Sequence, residues 1–238
     1  MIIMLGKISK IESLGAVDGP GLRYILFFQG CNLRCACCHN PETLDVSSGT
    51  EYDSADIVER VSRYKNYYGD NGGVTFSGGE PLMQAEFLKA CAKACKENGI
   101  NTVLDTSGSL LSNEILEALK YIDLVLLDIK MTTEEDYERY TGGSLKHTIQ
   151  FLKTIEKLGK KVWIRQVIIP TINDNEHNIL RLNTLCDQFS CIKKIELLPF
   201  KKLCVTKYEQ LGKEFKLANI PECNDDVLIQ LQKMITLK

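Results

Sequence analysis

The chain has 238 residues, 44% of them hydrophobic, enough for one large domain and short for two. Its formal net charge of −2 and isoelectric point near 6.0 give no general attraction for nucleic acid. No run reaches the roughly 20 apolar residues that cross a bilayer, so no membrane partner is expected. The N-terminus lacks the long apolar core and small-residue cleavage site of an export signal. Ten cysteines on such a chain point to the reducing cytoplasm.

Apolar, β-branched runs alternate with amphipathic segments along the chain. Residues 22–29 are expected to form a strand, and a cysteine-rich loop follows at once. Residues 54–68 read as a helix capped by Asp53 or Ser54, and 73–77 as a short strand. A helix over 83–98 stops at Gly99, and 102–105 is a strand. A helix over 112–120 has Ser112 as its cap, and 124–129 is a strand. In a helix over 145–158, Leu145, Ile149, Leu152 and Ile155 share one face. A strand over 161–169, a helix over 176–189, a strand over 193–198 and a last helix over 225–235 complete the pattern. That last helix lies in a helical extension from about 205 to 238. Six strands separated by helices predict an α/β fold with a mostly parallel sheet, closed into a barrel or a partial barrel. The stretch Leu124-Val125-Leu126-Leu127 suits a strand buried on both faces. Nothing marks an interdomain linker, so residues 1–238 read as a single domain.

The cysteine loop carries the strongest chemical signal. Cys31, Cys35 and Cys38 stand in Gly30-Cys31-Asn32-Leu33-Arg34-Cys35-Ala36-Cys37-Cys38-His39-Asn40-Pro41. A 4Fe–4S cluster needs thiolates on its irons. Three of them, spaced C-x3-C-x2-C, hold three corners of the cube and leave one iron open. An open position marks a chemical site, whereas a closed shell marks a structural one. A structural zinc site would offer a second, separated pair of ligands, yet no cysteine lies between Cys38 and Cys91. Zinc on Cys31, Cys35, Cys38 and His39 would be cramped. A disulfide framework is disfavoured on a chain large enough for its own core. Cys91 and Cys95 fall at helical spacing, and Cys186, Cys191, Cys204 and Cys223 are scattered; all six read as small core residues.

The other polar motifs sit at the ends of the predicted strands, where α/β barrels gather their active sites. Ser77-Gly78-Gly79-Glu80-Pro81 follows the second strand, Asp105-Thr106-Ser107-Gly108 ends the third and Asp128-Ile129-Lys130 ends the fourth. Arg165 lies within the fifth, and Pro199-Phe200-Lys201 ends the sixth. Gly78 and Gly79 let backbone approach a ligand closely, although taken alone a plain Gly-Gly turn into the helix near Pro81 is the better explanation. Glu80 either adds a charge there or fixes the loop. Asp105 and Asp128 suit a cation or a hydroxyl-rich ligand, against the plainer readings of helix capping or a salt bridge. Lys130 would pair with a carboxylate or a ligand. Arg165, in an apolar strand, needs an anionic partner if buried.

The cysteine spacing followed by His39-Asn40-Pro41 resembles the radical S-adenosylmethionine (SAM) enzymes. A closer resemblance rests on Val17-Asp18-Gly19-Pro20-Gly21-Leu22-Arg23, Phe27-Phe28-Gln29-Gly30-Cys31, Gly72-Gly73-Val74-Thr75, Ser77-Gly78-Gly79-Glu80, Leu104-Asp105-Thr106, Val162-Trp163-Ile164-Arg165 and Glu196-Leu197-Leu198-Pro199. These runs look like the family of pyruvate formate-lyase activating enzymes, from Gly6 to about Leu217. The resemblance implies a partial (β/α)6 TIM-like barrel of the radical SAM type. It implies reductive cleavage of SAM and abstraction of a glycine Cα hydrogen from a glycyl-radical enzyme by the 5′-deoxyadenosyl radical. It also implies an oxidoreductase of anaerobic metabolism, a flavodoxin or similar electron donor, and a monomer.

By the same resemblance Cys31, Cys35 and Cys38 hold the cluster, and no catalytic side chain beyond cluster and SAM is implied. Cys37, Cys38, His39, Gly78, Gly79, Glu80, Asp105, Asp128, Ile129, Lys130, Arg165 and Lys201 are the candidate SAM contacts. Asp105 and Asp128 match a site for a monovalent cation, Na+ or K+, and Asp18 matches one near the substrate peptide. Two positions depart from the family. Cys37 replaces an aromatic residue, and Lys201 stands where the family has a SAM-contacting histidine. Only 33 residues separate Cys38 from Gly72, none of them cysteine, which leaves no room for an inserted ferredoxin-like module. The alternatives are the same chemistry on another glycyl-radical enzyme or a small molecule, and a non-enzymatic, metal-stabilised binding protein.

Overall fold

The computed structural model describes residues 4–237. Residues 1–3 and 238 of the single-domain expectation lie outside the described residues. Two compact units emerge. One comprises the N-terminal segment through Asn32 with residues 43–106 and 110–126. The other comprises residues 33–42, 107–109 and the chain from Leu127 on.

In the first unit, β1 (Leu5–Gly15) pairs antiparallel with β2 (Arg23–Phe28) on one side and with β3 (Thr50–Asp53) on the other. β2 pairs in parallel with β4 (Gly73–Gly78), and β4 with β5 (Asn101–Thr106). Three helices accompany them: α1 (Ser54–Arg63), α2 (Ala85–Glu97) and α3 (Asn113–Leu119). α2 forms because Phe87, Leu88, Cys91, Ala92 and Cys95 repeat at helical spacing and bury one stripe. It ends where Gly99 turns left-handed, with φ 67°. The Asp53 carboxylate accepts from the Ala55 N–H and caps α1, and the Ser112 hydroxyl accepts from the Ile115 N–H and caps α3. Phe28 meets Phe76 edge-on at 6.0 Å and leans on Phe87 at 5.6 Å. Each such ring contributes roughly 1.5–3 kcal/mol of burial.

β6 (Leu124–Asp128) carries residues of both units. The second unit holds the parallel pair β7 (Lys161–Ile168) and β8 (Ile192–Pro199) with α4 (Glu134–Thr141), α5 (Leu145–Lys157), α6 (Glu176–Cys186), α7 (Val205–Gln210) and α8 (Asp225–Lys233). The strand order is β3-β1-β2-β4-β5-β6-β7-β8. No helix among the described residues is long and apolar enough to cross a membrane.

Six of the eight strands fall where the apolar runs place them. β1 and β3 do not appear in the sequence reading, and neither does α4. β1 mixes Lys7, Ser9, Lys10 and Glu12 among its apolar residues and keeps only Ile8 and two glycines buried. α4 buries only Tyr137 and Thr141, so it has no apolar stripe; Thr133 caps its first turn. All six scattered cysteines are buried, as small core residues should be.

Candidate functional site

In the first unit the end of β4 is held by packing and by polar contacts. A Cβ on Gly79 would lie 2.1 Å from the Gly30 carbonyl oxygen, and Gly78 adopts φ 107° with its Cβ position 2.4 Å from the Phe28 nitrogen. Only glycine fits either place. The Gly79 N–H donates to the Phe28 carbonyl and the Glu80 N–H to the Gly30 carbonyl, so this backbone is stitched to the end of β2. Glu80 is 1% exposed. Its carboxylate accepts from the Thr106 hydroxyl at 2.6 Å and from the Leu82 N–H at 3.2 Å. Its part is to fix the loop. The Ser77 hydroxyl donates to Asp105 at 2.7 Å, which ties the ends of β4 and β5 together. Asp18 is half-buried, and its carbonyl accepts from the Thr75 hydroxyl at 2.7 Å.

In the second unit the end of β6 gathers three charges. Lys130 Nζ lies 2.5 Å from Asp128 Oδ2, and Arg165 Nε lies 3.2 Å from Oδ1. Asp128 is thus the anionic partner that a buried Arg165 requires. Burial alone would raise the Asp128 carboxyl, yet Lys130 and Arg165 hold it below its ordinary value. Burial would lower Lys130, and Asp128 instead holds it well above its ordinary value. Asp128 and Lys130 thereby stay charged at neutral pH, so two cations stand beside one carboxylate at the end of β6. A buried amide pair supports it: Gln166 donates to the Ile129 carbonyl at 3.1 Å and accepts from Asn178 at 2.8 Å.

The cysteine loop contains no helix or strand between Cys31 and Asn40. Cys31, Cys35, Cys37 and Cys38 are all half-buried. The Arg34 N–H donates to the Thr141 carbonyl and the Ala36 N–H to the Tyr140 carbonyl, both in the last turn of α4. The His39 ring Nε2 lies 2.8 Å from the Lys201 carbonyl and must donate to it, which fixes its tautomer. The Lys201 ammonium faces Glu222 and Asp225 at 4.0 and 3.8 Å. Burial pushes the Cys37 thiol up to about 11 and raises Cys38 as well.

Among the described residues no three Cys, His, Asp or Glu side chains crowd together as they would around one metal ion. A cube puts each thiolate on a different iron, so its ligands need not converge on a point. The donor set, three thiols in one loop without a tight fourth ligand, therefore fits a cluster with an open corner better than a closed mononuclear site.

The radical SAM superfamily pattern matches residues 25–182. The chain belongs to the radical SAM superfamily. Within it, the chain is 44% identical to the pyruvate formate-lyase-activating enzyme of Clostridium pasteurianum, over 98% of both chains. It is 40% identical to the pyruvate formate-lyase 1-activating enzyme of Escherichia coli K12, over 91% of this chain and 89% of the relative. A crystallised domain of the activating enzyme from Bacteroides vulgatus shares the fold at TM-score 0.57 and 23% identity, over 69% of this chain and 92% of that one. Streptococcus suis SuiB, bound to its precursor peptide SuiA, does so at TM-score 0.63 and 20% identity, over 88% of this chain and 44% of that one. The α/β, partial TIM-like architecture is thus a radical SAM fold. Membership in the superfamily makes the chain an enzyme and implies a 4Fe–4S cluster and SAM as its cofactors.

Three residues were not singled out from the sequence, two at the cysteine loop and one at the opposite end of β2. Arg23, at the start of β2, is wholly buried. Lys207 and Tyr208, on α7, reach the cysteine loop. Only Arg23 left a signal, a charged residue opening an otherwise apolar strand.

Proposed function

We propose that this radical SAM enzyme is an activase that installs a glycyl radical on pyruvate formate-lyase. The observation that carries the reading is the three-thiol loop on a chain that aligns over 98% of its length with a named activating enzyme. When bound, the reduced cluster and SAM supply the 5′-deoxyadenosyl radical that takes the hydrogen from a glycine Cα. The protein's own residues bind and orient. Cys31, Cys35 and Cys38 hold the cluster. The C-x3-C-x2-C spacing leaves Cys37 outside the ligand set. Gly78 and Gly79 offer backbone to the ammonium of SAM, on a loop that Glu80 stiffens. Lys130 and Arg165, beside Asp128 and Ile129, face the SAM carboxylate. Cys37, Cys38 and His39 contribute backbone, and Lys201 bears on them through its carbonyl. Asp105 and Asp128 are the candidate ligands of a monovalent cation, Na+ or K+. Asp18 sits with the substrate peptide. Glycine suits such a target because no side chain holds its Cα away from the reacting carbon.

The reading places a single domain, a monomer, in the cytoplasm of an anaerobic cell, with a flavodoxin-like donor. Electron paramagnetic resonance tests it. After anaerobic incubation of the reduced, reconstituted enzyme with SAM and pyruvate formate-lyase, a glycyl-radical doublet should appear on the lyase. If it forms only on another glycyl-radical enzyme, the target changes and the chemistry stands. If label moves into 5′-deoxyadenosine only from a small metabolite, the activase reading fails.

A further inference from the structure

We propose that α7 is a latch on the cluster loop, with Lys207 and Tyr208 as positioning residues for the segment that carries Cys38. The proposal rests on the functional reading of that loop as the cluster's seat. The loop has no regular structure of its own, and each unconstrained residue is free to lose roughly 1–2 kcal/mol of backbone order. Something outside the loop must hold it. At Arg34 and Ala36 the last turn of α4 does so. Beyond Cys37 the Cys38 N–H donates to the Cys35 carbonyl within the loop, and further supports come from residues more than 160 positions away.

Lys207 spends its whole donor capacity on this task. Its ammonium carries three N–H groups. The three acceptors are the His39 carbonyl at 3.1 Å, the Asn40 side-chain oxygen at 3.1 Å and Glu42 Oε1 at 2.6 Å. The Tyr208 hydroxyl donates to the Cys38 carbonyl at 3.2 Å. Two consecutive residues of α7 therefore grip residues 38, 39, 40 and 42, with the third cysteine at the edge of the grip. The latch is itself anchored. Tyr208 is 8% exposed, its ring lies 5.0 Å from that of Phe215, and Phe215 stacks on Phe200 at 6.2 Å.

A helix that merely packed on the nearest surface would contribute apolar contact. α7 instead directs an ammonium and a phenol at backbone carbonyls around a thiol. Groups behind metal ligands orient them, and their loss typically costs 10–100-fold in metal affinity. The C-terminal extension thereby acquires a task that its sequence does not display: keeping the Cys38 thiol aimed while the fourth iron changes its ligand.

The test uses the full chain, reconstituted anaerobically, with Tyr208→Phe, Lys207→Met and Lys207→Arg. Tyr208→Phe keeps the ring packing and removes only the hydroxyl, so it decides the matter if Lys207→Met does not fold. The readouts are iron release to a ferrous chelator, the shift of the reduced cluster's paramagnetic resonance on adding SAM, and the unfolding midpoint of the iron-free protein. Iron should leave Tyr208→Phe and Lys207→Met about tenfold faster, with a broadened SAM-induced shift and an unchanged iron-free midpoint. Lys207→Arg should recover most of the retention. Release within twofold of the parent rate, or a loss that only follows a fallen midpoint, overturns the latch while the functional reading stands. If the parent chain itself binds no cluster, the functional reading falls and the latch with it.

Discussion

Two arginines are buried in strands of this protein, and their surroundings differ completely. Arg23, opening β2 in the first unit, is 0% exposed and has no carboxylate hydrogen-bonded to it among its recorded partners. Its Nε donates to the Thr75 hydroxyl at 2.6 Å, Nη1 to the carbonyls of Pro20 and Asn71, and Nη2 to the Val74 carbonyl and to both oxygens of Asn101. Burial lowers it to about 10, so it stays charged at neutral pH. Arg165, in β7 of the second unit, shares Asp128 with Lys130. A guanidinium saturated by neutral oxygens is a structural bolt. A guanidinium that meets a carboxylate and a second cation at the end of a strand belongs to a charged cluster that a ligand can address. Burial alone does not separate the two; the partners do.

The sharpest way to break that comparison is Arg23→Leu. The substitution removes the donor to the buried Thr75 hydroxyl oxygen and to the half-buried Asn101 side-chain oxygen, each loss costing about 1–3 kcal/mol. It also frees residues 18–21, since the Thr75 hydroxyl that Arg23 orients holds the Asp18 carbonyl. Gly21 makes that turn obligatory: at φ 70° its Cβ would lie 2.6 Å from the Gly72 nitrogen. Urea unfolding of the iron-free protein should show a loss of about 3–5 kcal/mol. A loss below about 1 kcal/mol would mean that the bolt holds nothing.

Lys130→Met should act on the ligand instead. It removes one charged hydrogen bond, worth about 1.5–3 kcal/mol, and so weakens SAM binding roughly tenfold to a hundredfold with iron content unchanged. Equal SAM affinity in the parent and the variant would remove Lys130 from the SAM site. The pH dependence sharpens the point. Asp128 has a folded pKa below its unfolded value of about 3.9, so its contribution is full above that value and lost as pH falls through the folded one. Lys130 has a folded pKa above its unfolded value of about 10.4, so its contribution is full below that value and lost only at higher pH. The stability difference between parent and Lys130→Met should stay level from about pH 5 to 9 and shrink below about pH 4. A slope near pH 7 would show that the charges are not as assigned.

The sequence made the parallel strands legible because they are nearly continuous apolar runs, and it marked the helix ends through Asp53, Ser112 and Gly99. The antiparallel β1 and β3 escaped because both carry polar, partly exposed residues and lack a sustained alternation. The loop cysteines stood out by residue type and spacing, and the carboxylates at the ends of β5 and β6 by their place after apolar runs. The supports were not. Lys207 and Tyr208 act on residues about 170 positions away, and no local pattern encodes a contact of that range. Glu80 was legible as a charge, but its buried bond to Thr106 required the fold.

Lys201 gives the smallest expected effect, and it contrasts with Lys130 as Arg23 does with Arg165. It stands where the family resemblance places a SAM-contacting histidine. Yet its side chain is 35% exposed and faces Glu222 and Asp225 across 4.0 and 3.8 Å. Pairs that long and that wet contribute about 0–1 kcal/mol. What Lys201 offers the loop is its carbonyl, which accepts from the His39 ring at 2.8 Å and survives any change of side chain. Lys201→Ala should therefore shift unfolding by less than about 0.5 kcal/mol. It should weaken SAM binding by less than about threefold, under 0.7 kcal/mol. Titration of SAM into the reconstituted variant measures this directly. A loss beyond tenfold would mean that the ammonium leaves Glu222 and Asp225 for the ligand, and that two lysines rather than one neutralise the SAM carboxylate.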